Sequence, residues 1–188
     1  NMDTLERLVQ TLREHKSDTN WFEFKHNNYD PEMIGQDISA LANGAAYAEK
    51  SCAYMIWGIH DQTHEIVGTE FDQYTLKIGK QEIESWLRNL LSKNTEFEFK
   101  NIKMLDKDLI ERDIVVLIIS RATNQTVTFK KLDYIRVGSY SKKLSDYPQM
   151  QAQLWDKIRN HRFEEQYAKQ DLTLNEAVQF LDFSVYFD

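Results

Sequence analysis

The chain has 188 residues, enough to bury a core of its own, and its 41% hydrophobic and 28% charged residues exclude a disordered or fibrous protein. A net charge of −7 and a pI near 5.3 argue against binding nucleic acid by bulk positive charge. The single cysteine, Cys52, excludes an internal disulfide framework and fits a reducing, cytoplasmic compartment, and no apolar stretch approaches the roughly 20 residues of a membrane span.

In chain order, Leu5, Leu8, Val9 and Leu12 fall at helical spacing and predict an amphipathic helix over residues 3–15. Trp21-Phe22-Glu23-Phe24-Lys25 alternates aromatic and charged side chains, which predicts a strand with one wet face. Asp30-Pro31 opens a second helix, because Asp30 can cap it and proline is pre-set for a first turn. Met33, Ile34, Ile38, Leu41 and Ala42 form its buried face, and Asn43-Gly44 is expected to weaken or end it. Cys52, a thiol expected to be buried and inert, precedes the apolar strand 54–59. A turn at 61–65 and the short return strand 66–68 then complete a hairpin.

Ile83, Trp86, Leu87, Leu90 and Leu91 mark a third helix. Strands follow at 97–100, 114–119, 127–129 and 134–137, then a helix over 148–159. Thr173 and Glu176 have capping-box spacing before a last helix. Hairpins mixed with crossovers predict an α+β fold, a mostly antiparallel mixed sheet packed against several helices. Residues 1–162 are read as one domain and 163–188 as the start of a linker helix. Met2 reads as a native initiator, and the end directly after an apolar segment leads us to expect that the protein continues.

Charge is uneven. Residues 121–162 carry nine Lys or Arg against three Asp, a local +6 that leaves −13 on the remainder. Lys130, Lys131, Arg136, Ser139, Ser141, Lys142 and Lys143 concentrate there, the last five in what reads as a basic, hydroxyl-rich loop after a strand. Arginine suits bidentate phosphate contact, and hydroxyls and backbone N–H groups add positioning bonds. A set of solvated side chains is the plain alternative. Lys25 shares a strand face with Glu23 and could either touch phosphate or neutralise its neighbour. His60 and His64 flank Asp61, but no cysteine stands near to complete a zinc site.

Several segments in fixed order carry a family resemblance: Glu23-Phe24-Lys25, Ile38-Ser39-Ala40-Leu41-Ala42-Asn43-Gly44, Trp57-Gly58-Ile59-His60-Asp61, Ile66-Val67-Gly68-Thr69 and Tyr134-Ile135-Arg136-Val137-Gly138-Ser139. Together they resemble the Schlafen AlbA-like domain over about residues 15–160. Ala45–Ser51 stand where the family commonly has a Gly-Gly pair. The resemblance implies a DNA-binding or RNA-binding domain of a transcriptional regulator, self-associating and touching phosphates through the basic segment. It implies as an alternative a metal-dependent nuclease, with Asp18, Glu23 and Asp61 as catalytic carboxylates holding Mg²⁺ or Mn²⁺. A dimerisation module is the third reading. Without catalysis, Asp18 would cap a turn, Glu23 would pair with a lysine, and Asp61 would begin the hairpin turn.

Overall fold

The computed structural model of the chain describes residues 3–16 and 19–171. Among the described residues four α-helices are formed: α1 (Thr4–Arg13), α2 (Pro31–Tyr47), α3 (Ile83–Leu90) and α4 (Pro148–Asp171). The strands are β1 (Phe22–Lys25), β2 (Cys52–Trp57), β3 (Lys77–Ile78), β4 (Gln81–Glu82), β5 (Phe97–Leu105), β6 (Glu111–Ser120), β7 (Thr128–Phe129), β8 (Leu132–Val137) and β9 (Tyr140–Lys143). This is the expected α+β fold. No helix among the described residues is long and apolar enough to cross a membrane. The helix expected after Thr173 lies outside the described residues.

One sheet has the order β1-β2-β6-β5, with β1 parallel to β2 and the other pairs antiparallel. Its register separates the faces. Phe22 and Phe24 align with Tyr54 and Ile56, and these with Ile118 and Val116; Phe22, Phe24, Ile56 and Val116 pack with Val9 and Leu12 of α1. Glu23 and Lys25 align with Met55 and Trp57 on the opposite face, against α2. β7-β8-β9 form a second, antiparallel sheet on the far side of α2.

Helix α2 is thus packed between two sheets, and its sequence fits that place. The Asp30 carboxylate accepts from Met33 N at 3.0 Å and sets its start. Ile34, Ile38 and Leu41 are fully buried, each stabilising by about 2 kcal/mol. A Cβ at Gly35 would overlap the Phe129 ring, and one at Gly44 would overlap the Asn20 carbonyl. These glycines therefore allow close packing instead of stopping the helix, which runs to Tyr47, past the expected end at Asn43-Gly44. Asn43 is fully buried. Its Nδ2 donates to Val127 O at 3.0 Å and Tyr134 O at 2.8 Å, while its Oδ1 accepts from Val127 N at 2.8 Å.

Other elements differ from expectation in extent. The third helix closes within eight residues, and the return after the 61–65 turn is a single bridge, Ile59 to Ile66. Cys52 is half-buried, not buried. The stretch expected as a loop at 139–143 includes strand β9. Helix α4 runs to Asp171, past the end expected at 159.

Candidate functional site

The face of β1 expected to be wet is covered. Glu23 and Lys25 keep side-chain exposures of only 9% and 19%, with Arg136 of β8 against Glu23. Lys25 Nζ lies 2.7 Å from Glu23 Oε1, and Arg136 NH1 lies 3.1 Å from Glu23 Oε2. The second contact is an ion pair by distance without hydrogen-bond alignment, since Glu23 Oε2 finds no hydrogen-bond partner. Arg136 is itself 7% exposed, and its Nε is buried without a hydrogen-bond partner.

A second carboxylate completes this cluster. Asp37 lies on α2 at 4% exposure, and its Oδ1 accepts from Ser141 Oγ of β9 at 2.5 Å. Its Oδ2 is buried without a hydrogen-bond partner. Burial, reinforced by the Glu23 charge, pushes its pKa up to about 7, against the opposing pull of Ser141, Lys25 and Arg136. The Asp37 carboxyl therefore changes its charge near neutral pH. Sequence reasoning missed Asp37, although a signal was present: it falls between Ile34 and Leu41 at the i+3 position of the apolar stripe, where a charged residue is out of place.

The basic segment divides into buried and exposed parts. Arg136 and Lys25 face Glu23, so a phosphate would compete with that carboxylate for them. Lys130 and Lys131 form the two-residue turn between β7 and β8, both with positive φ (49° and 69°), as a type I′ hairpin requires. Lys130 pairs with Glu32. Lys131, Lys142 and Lys143 are exposed and form no ion pair among the described residues. Register places Lys143 opposite Tyr134, toward the end of the sheet where the 130–131 turn lies, and Lys142 opposite Ile135 in mid-strand; as neighbours on β9 the two point to opposite faces. Ser139 is exposed at the other end, in the β8–β9 turn beside Gly138.

Of the expected carboxylate trio, Asp18 lies outside the described residues. Asp61 is 70% exposed, and its only ion-pair contact among the described residues is His60 Nδ1 at 3.7 Å. Its loop is anchored toward the α1 face: the His64 ring packs on Phe24 at 4.8 Å, and Arg13 Nε donates to His64 O at 2.7 Å. Glu23 points from the other face of the sheet and is engaged by two cations. Among the described residues no group of three or more His, Cys, Asp or Glu is placed to hold a metal ion. Glu23 meets Asp37 instead of Asp61.

The family model described as "Schlafen, AlbA_2" matches residues 18–145. Among solved structures the chain is similar to the crystal structure of the DIP2311 protein from Corynebacterium diphtheriae, with 14% identity and a TM-score of 0.44 over 72% of this chain. The matched part spans 25% of that protein's length. Comparison with curated proteins gives no match.

Proposed function

This chain belongs to the Schlafen AlbA_2 family, whose domains are nucleic-acid-related, and from that premise we propose that it binds nucleic acid as the DNA-contacting domain of a transcription regulator. The observation that carries the reading is that Lys131, Lys142 and Lys143, on the β7–β8 turn and on β9, are exposed and without ion-pair partners among the described residues. Flexible ammonium groups on a short rigid sheet suit sequence-independent contact with a phosphate backbone. The buried Glu23, Asp37, Lys25 and Arg136 cluster ties β8 and β9 to β1 and α2. Its role in this reading is to position the lysine-bearing strands.

Binding to duplex DNA across a salt series tests the proposal. Each phosphate contact contributes about −0.9 to the slope of log K against log salt. Replacing Lys131, Lys142 and Lys143 together by Gln should reduce the slope's magnitude by about 2.7. Undetectable binding at low salt, or a slope unchanged in the triple variant, would refute it.

A further inference from the structure

Beside the buried cluster lies a cleft of about 340 Å³, lined by Thr19, Asn20, Arg136, Val137, Gly138 and Met150. It lies at the β8–β9 turn, away from the Lys130–Lys131 end of the sheet. The five residue steps of β8 separate the two ends by roughly 17 Å. Its volume is at the small end of the roughly 300–1,000 Å³ that accommodates small molecules.

The lining divides into two chemistries. Arg136, Thr19, Asn20 and the turn at Gly138 are polar. Arg136 has five N–H donors and spends NH1 on Glu23, while its Nε has no hydrogen-bond partner. The guanidinium is held in place by a buried carboxylate, and a ligand phosphate would share it with Glu23. Gly138 has φ +61°, and a Cβ there would meet nothing within 4 Å, so a ligand can come close to the turn. Val137 and Met150 supply an apolar wall, and a thioether is a favourable neighbour for an aromatic ring. The Thr19 hydroxyl is bonded to the Phe22 backbone, which leaves an arginine, a side-chain amide and an open turn to suit one phosphate. The adjoining apolar wall suits one planar heterocycle.

We propose that this cleft takes one unpaired nucleotide of a bound strand, with its phosphate at Arg136 and the Gly138 turn and its base against Val137 and Met150. The proposal rests on the nucleic-acid reading above and narrows it. A base inside a duplex is covered by its neighbours and cannot enter a cleft, whereas a base in a single strand can. The exposed lysines then serve any backbone, and the cleft favours single strands or frayed ends.

Fluorescence anisotropy with short single-stranded DNA and RNA oligonucleotides and with a blunt DNA duplex tests this, the two oligonucleotides reporting which sugar is taken. Met150→Trp fills the cleft, and Asn20→Ala removes an amide from it. The expected result is an at least tenfold weaker affinity for the single strand, with duplex affinity and thermal midpoint unchanged. Single-strand binding that stays unchanged in both variants, or falls equally with duplex binding, overturns the subsite and leaves the lysine surface standing. Wild-type protein that binds neither ligand overturns the subsite and the nucleic-acid reading together. Should Met150→Trp lower the thermal midpoint, Asn20→Ala decides alone.

Discussion

Replacing Asp37 by Asn isolates the most unusual charge in the molecule. Asp37 is 4% exposed, with one oxygen bonded to Ser141 and the other without a hydrogen-bond partner. Its pKa rises from an ordinary 3.8 to about 7 in the folded protein. Between those values the folded chain keeps a proton that the unfolded chain has released. Stability therefore falls as pH rises through that window, by up to about 1.4 kcal/mol per pH unit. Integrated over the window, the ionised carboxylate costs on the order of 4 kcal/mol, a ceiling that relaxation of the site would lower. Above about pH 7 the cost is constant. Asn keeps the carbonyl oxygen that accepts from Ser141 and carries no charge at any pH. Urea unfolding of both proteins at pH 5, 6, 7 and 8 should show the variant's advantage growing with pH, from about 1.6 kcal/mol of the cost already present at pH 5 to about 4 kcal/mol at pH 8. A stability difference that does not change with pH would refute the reasoning.

Glu23→Gln removes the charge that, after burial, does most to raise the Asp37 pKa, so the Asp37 titration should move to lower pH, read by carboxyl carbon shifts in NMR. Asn43→Ala leaves Val127 N and the carbonyls of Val127 and Tyr134 without their side-chain partner inside the core. It should destabilise the fold by on the order of 3 kcal/mol, measured by chemical unfolding.

Local pattern reveals most elements and fails where a distant strand decides the environment. The alternation in Phe22–Lys25 is real, and Phe22 and Phe24 point into the core as it requires. Which face meets water is not encoded there, because Arg136, the second cation at Glu23 beside Lys25, comes from more than a hundred positions away. Asn43-Gly44 reads as a helix end for the same reason. Asparagine favours helix ends when solvated, but here it satisfies three backbone groups of residues 127 and 134. The Ser139–Lys143 stretch reads as a loop because Ser141, Lys142 and Lys143 lack apolar alternation. It includes a strand whose partners, Tyr134 to Val137, supply the buried side chains.

An acidic chain with a basic segment raises the question of which charge a nucleic acid meets. At physiological salt the Debye length is about 8 Å, so phosphates at Lys131, Lys142 and Lys143 are governed by nearby groups, and the −13 carried outside residues 121–162 is largely screened. At 10 mM salt the Debye length reaches about 30 Å, and the acidic remainder repels the same phosphates. Affinity for duplex DNA should therefore rise less steeply below about 50 mM salt than counterion release alone predicts, bending the log–log plot toward the horizontal. A protein that binds through three lysines on a uniformly neutral surface would give a straight line down to the lowest salt. A straight line here would mean that the acidic residues lie too far from the bound phosphates to be felt, and that Lys131, Lys142 and Lys143 are electrostatically independent of the rest of the domain.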